Sequence, residues 1–108
     1  MKLDLSRYKV TLVLMPRDMR AGFPTLSAIA ERELGICIRR GEDAVVFLSK
    51  RRTLAKIILT DVSGCTLIIR TLHAGTFKRL CAAASGSATR PLTVKELCTY
   101  LDGGLPAT

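Results

Sequence analysis

Three basic residues at a predicted turn are the side chains of this chain best placed for binding chemistry. Lys50, Arg51 and Arg52 lie between two apolar runs, and a link of this length is typical of the tip of an antiparallel β-hairpin. Lysine or arginine at the tip of a two-stranded ribbon can contact phosphates, or guanine edges in the major groove of DNA. With three arginines further upstream, the candidate nucleic-acid-binding residues are Lys50, Arg51, Arg52, Arg39, Arg40 and Arg20.

The charge of the whole chain agrees with this interpretation. The 108 residues include 17 Lys and Arg against 9 Asp and Glu, which gives a net charge of +8. A strongly basic domain is typical of nucleic-acid binding. The alternative is that charged residues only solvate the turn and protect sheet edges from pairing. Four more basic residues share a face with the turn only if the strand register allows it: Lys56, Arg70, Lys78 and Arg79.

No group of residues in the sequence predicts a catalytic site. Asp18, Asp61 and Glu96 are the carboxylates that acid–base or metal chemistry would use, but each has a local role in a turn or a capping box. Their spacing does not favour convergence on a metal ion. There is no glycine-rich phosphate-binding motif. We therefore expect a binding protein rather than an enzyme, with no cofactor and no metal.

The four cysteines are spaced too widely to predict a zinc site. They lie at positions 37, 65, 81 and 98 without a Cys-x-x-Cys pair, and the single histidine, His73, forms no known zinc pattern with them. We expect buried free thiols, which suit a reducing cytosol. No signal peptide is predicted, because the apolar run 10–15 is short and is followed by charged residues. No run approaches the roughly 20 apolar residues of a membrane span.

Hydrophobic periodicity predicts a strand and a helix in the first third of the chain. Residues 9–14 alternate between two faces, and Pro16 ends the strand. A helix is predicted from Pro24 to Leu34, with Gly35 as its stop. We interpret the preceding corner, residues 18–23, as structural: a capping acid, a flexible glycine and a buried aromatic residue.

Three strands are predicted next, and tight links make them a β-meander. They span 44–50, 54–60 and 65–72, and Gly64 is expected in the left-handed conformation that closes the second link. Ile57 and Ile58 must point to opposite faces, so both faces are apolar. One face is expected to pack on the first helix. The other needs the second helix, the first strand or another protein chain, which favours self-association or a partner.

The last third predicts a short edge strand over 76–80, a flexible linker over about 82–91 and a second helix. Thr93 and Glu96 form a capping box that opens this helix, which runs to about Leu101. The chain is therefore predicted to be a single domain, 1–108, of the α+β class. It has a mostly antiparallel sheet of four to five strands, with a β-meander core and two helices.

A series of short motifs follows one another along the chain. It opens with Asp18-Met19-Arg20 and Gly22-Phe23. The later motifs are Val46-Phe47-Leu48, Lys50-Arg51-Arg52, Lys56-Ile57, Asp61, Gly64, Leu67, Leu72, Gly75, Phe77, Leu92-Thr93, Glu96-Leu97 and Leu101-Asp102-Gly103. In this order the motifs resemble a known family, the small accessory proteins, called TnpB, of insertion sequences of the IS-sixty-six type. The resemblance covers about residues 10 to 104, and the opening is its most specific part.

This chain departs from the family pattern at two places. Leu59 and Thr60 stand where such proteins usually carry aromatic residues, and Lys78-Arg79 stands where they tend to have Trp-Pro. The resemblance implies a role in transposition beside a separate transposase. It does not imply a particular biochemical mechanism.

From the residues and the resemblance together we expect a non-catalytic accessory protein of a bacterial insertion sequence. It would bind DNA, or the transposase–DNA complex, through the basic hairpin tip. Its expected partners are DNA, the transposase or another element-encoded protein, and a second copy of itself, but no membrane. It would be cytoplasmic, and nucleoid-associated when bound to DNA. The alternative is a protein–protein adaptor with no affinity of its own for DNA.

Overall fold

The computed structural model describes residues 4–18, 20–80 and 88–106, and these form one five-stranded sheet with a helix on each face. The strands are β1 (Lys9–Val13), β2 (Asp43–Leu48), β3 (Leu54–Thr60), β4 (Cys65–Thr71) and β5 (Thr89–Leu92), and the helices are α1 (Phe23–Leu34) and α2 (Val94–Leu101). Short 3₁₀ turns occupy Leu5–Arg7 and Ile38–Arg40. None of the described helices is long and apolar enough to cross a membrane.

The sheet has the order β4-β3-β2-β1-β5 and contains one parallel pair. β1 and β2 run parallel, which requires a crossover, and α1 supplies it. The other three pairs are antiparallel, and β2, β3 and β4 form the predicted meander. The α+β class and the mostly antiparallel sheet are therefore confirmed.

Both faces of the sheet are covered by this chain itself. Alternation along β3 sends Ile57 to one face and Ile58 to the other, as predicted. The Ile58 face packs under α1, where Leu26 and Ala30 are buried. The Ile57 face packs under α2, of which Leu97 is fully buried. The sequence left three possibilities for covering the second face: the second helix, the first strand or another protein chain. In the structure the second helix covers it, so the apolar faces of the sheet no longer argue for a partner.

The segment before α2 differs from its prediction in two ways. Residues 76–80 form no strand; instead Phe77 is fully buried on the α2 side, and its N–H donates to the carbonyl of Arg52 (2.7 Å). Residues 89–91, predicted as linker, belong to β5, which pairs antiparallel with β1. β5 has only four residues, with one buried apolar side chain, Leu92, so its own pattern was too weak to indicate a strand. Of the rest of the predicted linker, Ala88 accepts the N–H of Leu14 at its carbonyl (2.9 Å), and 82–87 lie outside the described residues.

The corner before α1 differs from the prediction at the N-cap of the helix, whereas the turn role predicted for Asp18 is confirmed. Gly22 is the N-cap of α1, with an ordinary φ of −91° and no side-chain cap. Asp18 closes its own turn instead, because its Oδ1 accepts the N–H of Arg20 (3.0 Å). Phe23 is half-buried. The predicted stop at Gly35 is confirmed, since its φ of 69° is the left-handed conformation that favours glycine.

The capping box of α2 is present as predicted. The N–H of Glu96 donates to Thr93 Oγ1 (3.1 Å), and the N–H of Thr93 donates to Glu96 Oε1 (2.9 Å). This backbone hydrogen bond lowers the pKa of Glu96. α2 has eight residues, so its first turn is a large part of its length.

Thr93→Ala is expected to destabilise the protein by about 1 kcal/mol, because it leaves an N-terminal N–H of α2 without its side-chain acceptor. Urea denaturation would measure the loss. Thr99→Ala is the matched control, since Thr99 lies inside α2 and is exposed. Equal losses in the two variants would show that the cap is not what matters.

Candidate nucleic-acid interface

The basic turn between β2 and β3 is held by hydrogen bonds to Ser49. The Oγ of Ser49 accepts the N–H groups of Thr53 and Leu54, each at 3.2 Å. The carbonyl of Ser49 accepts the N–H of Arg52 (2.9 Å). Lys50 and Arg51 are exposed between these anchors. The turn therefore presents two basic side chains on a fixed backbone.

Arg52 differs from its two neighbours. Its φ of 55° places it in the left-handed region, which costs a non-glycine residue roughly 1–2 kcal/mol. Hydrogen bonds from its N–H to Ser49 and from Phe77 to its carbonyl hold it there. Arg52 is half-buried, and its buried Nε has no hydrogen-bond partner within the part of the chain that the structure describes. The left-handed turn separates Arg52 from the exposed Lys50 and Arg51.

Arg52 lines a cavity of about 340 Å³ on the α2 side of the sheet. Its other basic lining residues are Lys78 and Arg79, and its walls are mainly apolar, including Leu14 and Leu48. Among the described residues, no acidic side chain lines it. Arg52 therefore shares its surroundings with Lys78 and Arg79, which follow the buried Phe77 in sequence.

The segment that carries Lys78 is anchored by Tyr100. The Tyr100 hydroxyl donates to the carbonyl of Lys78 (2.7 Å), and its ring stacks on Phe77 with centroids 5.6 Å apart. Burial raises the pKa of Tyr100 to about 12, so the hydroxyl stays protonated and able to donate at neutral pH. α2 thus positions Lys78 and Arg79 next to the hairpin turn.

The connection after β1 brings more basic residues to the same end of the sheet. The N–H of Arg17 donates to the carbonyl of Leu48 (2.8 Å), and Arg17 bridges to Ser49. Lys56 is buried, and its Nζ donates to the carbonyl of Ala21 (2.9 Å), which fixes the connection from the other side. Lys56 is therefore a structural tether, and Arg20 lies in the connection that it holds.

Two carboxylates pair with these arginines. Asp18 Oδ2 lies 2.7 Å from Arg20 Nη2, and hydrogen bonds from Arg20 hold the pKa of Asp18 well below its usual range. Arg17 pairs with Glu33, and this hydrogen bond lowers the pKa of Glu33. Lys50 lines the same surface depression as Asp18 and Arg17, and its charge contributes further to the lowered pKa of Asp18. Both carboxylates are ionised at neutral pH.

We call this surface the basic end of the sheet, and its members are Arg17, Arg20, Lys50, Arg51, Arg52, Lys78 and Arg79. They converge because the turn after β2, the connection after β1 and the segment after β4 meet there. Sequence reasoning did not select Arg17, whose position depends on the pairing of β1 with β2. It noted Lys78 and Arg79 but did not select them, because register decides which basic residues share a surface.

Arg39 and Arg40 are not part of the basic end. They lie in the 3₁₀ turn that precedes β2, whereas Lys50 follows β2, and a six-residue strand is about 20 Å long. The adjacent Gly41 lies against the carbonyl of Thr60, at the far end of β3. The six candidate residues are therefore divided between opposite ends of the sheet.

The hairpin does not project as a ribbon. β2 and β3 are inner strands, with β1 and β4 on either side. Only the turn is free to contact a ligand, so insertion of the two strands into a major groove is excluded by the topology. Arg70 is also engaged elsewhere: its Nε donates to the carbonyl of Leu101 (3.0 Å) and its Nη2 contacts Asp102 (3.1 Å).

Other polar candidates have local roles. Asp61 Oδ1 accepts the N–H groups of Ser63 (2.8 Å) and Gly64 (3.0 Å), and this closes the β3–β4 turn. Gly64 is not left-handed, so that prediction was wrong; the aspartate makes the turn without it. Within the described residues, no three His, Cys, Asp or Glu side chains form a group that could hold a metal ion.

The prediction of buried cysteines was wrong at two positions. Cys65 is exposed because it begins the edge strand β4, and Cys98 is exposed because Leu97 and Tyr100 take the buried face of α2. Cys37 is half-buried. Cys81 lies outside the described residues.

Comparison with known families covers nearly the whole chain. The family described as IS66 Orf2 like protein matches residues 8–106. The chain belongs to this family. This confirms the resemblance seen in the sequence, and the family indicates an accessory role in transposition. No curated protein and no solved structure matches the chain.

Proposed function

We propose that this IS66 Orf2 like protein is a non-catalytic transposition accessory protein that binds DNA through the basic end of the sheet. The observation that carries the proposal is the convergence of seven basic residues from three segments, with Asp18 and Glu33 as their carboxylate partners. Such an excess of positive charge on one surface attracts a polyanion.

The chemistry of the basic end favours phosphate contacts. Lys50, Arg51, Lys78 and Arg79 are exposed and extend from segments fixed by backbone hydrogen bonds. Fixed cations neutralise phosphates and release counterions, which supplies most non-specific affinity for DNA. The inner position of the hairpin strands limits groove contacts to the turn itself. We therefore propose backbone binding, with little direct readout of base sequence.

The two departures from the family pattern bear on this proposal differently. Lys78-Arg79 adds two positive charges to the basic end. Leu59 is fully buried in the core under α2. Its side chain is wholly apolar, so it needs no hydrogen-bond partner there. The first departure therefore strengthens the charge of the proposed surface, and the second belongs to the core.

The transposase is the proposed protein partner, on the strength of the family. The alternative of an adaptor without DNA affinity was based on an apolar sheet face, and α2 covers that face. Beside the transposase, the basic end would supply some of the DNA contacts of the complex. Binding of DNA by the purified protein distinguishes this function from an adaptor that has no DNA affinity.

Binding of the purified protein to duplex DNA is expected to depend steeply on salt. If the four exposed cations each neutralise one phosphate, a plot of log K against log salt concentration has a slope of about −3.6. Affinity then falls by about a hundredfold between 50 and 200 mM salt. Fluorescence anisotropy at a series of salt concentrations measures this slope.

A slope near zero, or no binding at low salt, would reject direct DNA binding and leave the adaptor function. The same preparation incubated with Mg²⁺ and supercoiled plasmid tests the absence of catalysis. Nicking that disappears on Asp18→Ala or Asp61→Ala would overturn the non-catalytic part of the proposal.

A further inference from the structure

The two edges of the sheet are protected very differently. β5 forms one edge with only four residues, and Pro91, which has no N–H, is one of them. β4 forms the other edge with seven residues and contains no proline. Its one charged residue, Arg70, is held by α2 through Leu101 and Asp102. Long apolar edges without lysine or proline readily pair with another strand.

The hydrogen-bond pattern shows which backbone groups of β4 point away from β3. At one end of the β3–β4 pair the N–H of Asp61 donates to the carbonyl of Gly64 (2.9 Å), and at the other the N–H of Leu72 donates to that of Thr53 (3.0 Å). Hydrogen-bonded and non-hydrogen-bonded pairs alternate along an antiparallel ladder. Thr66, Ile68 and Arg70 therefore bond to β3. The residues whose N–H and C=O groups point away from the sheet are Cys65, Leu67, Ile69 and Thr71.

We propose that β4 pairs with β4 of a second copy of this chain, antiparallel about Ile68. In this register the outward-facing residues oppose one another: Cys65 opposes Thr71 of the second copy, and Leu67 opposes Ile69 of the second copy. The pairing uses the outward N–H and C=O groups of all four residues, in about eight hydrogen bonds, two for each such pair.

The side chains in this register are self-complementary. On the α1 face Leu67 meets Ile69 of the second copy, and Ile69 is 55% exposed in the single chain. On the α2 face the two Ile68 side chains meet across the twofold axis, and Arg70 opposes Thr66 rather than another cation. Apolar and β-branched cross-strand pairs stabilise a sheet, and no like charges face each other.

The pairing closes on itself. The twofold axis lies between the β4 strands of the two copies, so both β4 edges are paired. The edges of the resulting ten-stranded sheet are the two β5 strands, each with its Pro91. A closed twofold dimer, rather than an open fibre, is the expected assembly.

The dimer has a consequence that rests on the proposed function. β4 runs towards the basic end in each copy, and the two β4 strands are antiparallel. The two basic ends therefore lie at opposite rims of the ten-stranded sheet and face in opposite directions. A dimer of this geometry holds two separate duplexes rather than one.

Ile69→Lys is expected to convert the dimer to a monomer, since it places a charge at the pairing edge while the side chain stays exposed in the single chain. Sedimentation equilibrium in reducing buffer, which removes any disulfide through exposed Cys65, measures the mass. The wild-type chain should show twice the 11.8 kDa of one chain, and Ile69→Lys the mass of one. Ile69→Pro should do the same, because the N–H that it removes faces away from β3.

Val62→Lys is the matched control. Val62 is fully exposed in the β3–β4 turn, so the change adds the same charge in place of a β-branched apolar side chain and leaves the edge untouched. This variant should remain a dimer, and circular dichroism should show folded protein in all three variants. A wild-type mass of one chain at every concentration, or equal masses for Ile69→Lys and Val62→Lys, would overturn the proposal.

A bridging assay separates this proposal from DNA binding itself. Bead-bound duplex should retain a second, labelled duplex with the wild-type protein but not with Ile69→Lys, which should keep the same salt slope. If the protein dimerises and binds no DNA, the proposed function fails and the interface stands. If it binds DNA as a monomer, the interface fails and the function stands.

Discussion

The double variant Lys50→Ala/Arg51→Ala is expected to bind duplex DNA roughly a hundredfold more weakly than the wild type at 50 mM salt. Both side chains are exposed on a turn held by Ser49, and among the described residues neither is paired with a carboxylate. Loss of two phosphate contacts should also make the slope of log K against log salt shallower by about 1.8. Anisotropy titrations on the two proteins would measure both quantities.

Arg39→Ala/Arg40→Ala is the control that makes this result specific. It removes the same number of charges from adjacent exposed residues, but at the opposite end of β2. Its salt slope should stay close to that of the wild type. If both double variants weaken binding equally, net charge rather than the basic end carries the affinity, and the proposed surface is wrong.

Phe47→Ala is expected to lower the free energy of unfolding by about 3–5 kcal/mol, the range for truncation of a buried aromatic residue. Phe47 is fully buried on an inner strand, in the core between the sheet and α1 that includes Leu26 and Ile58. A domain of this size has a total stability of about 5–15 kcal/mol, so the variant is expected to melt more than about 10 °C below the wild type.

Urea denaturation followed by circular dichroism would measure the loss. Val62→Ala is the control, because Val62 is fully exposed and its truncation should change stability by less than about 0.5 kcal/mol. A loss below about 1 kcal/mol for Phe47→Ala would mean that α1 does not pack on this face of the sheet as described.

Much of the fold could be predicted because its elements carry local signals. The meander strands have continuous apolar runs, α1 ends at a glycine, and the capping box of α2 satisfies helix N–H groups within four residues of sequence. β5 carried no such signal. It is a strand because β1 offers it a pairing edge, and that depends on contacts between residues about 80 positions apart.

The candidate site was predicted less completely, for a related reason. Lys50 and Arg51 were recognised because a turn places neighbours in sequence side by side. Arg52 is their neighbour too, but a left-handed backbone sends it to the cavity with Lys78. Arg17 joins the surface through its bridge to Ser49, and Arg39 is kept from it by the length of β2.

By itself the sequence determined the family, the α+β class, most of the strands and the excess of positive charge, because periodicity, caps and composition are local properties. Only the tertiary structure decided which charges share a surface, that α2 rather than another protein covers the second face of the sheet, and that β4 forms one edge of the sheet built by the described residues. These features depend on the order and register of strands far apart in the chain, and register determines where each side chain and each backbone hydrogen-bonding group points.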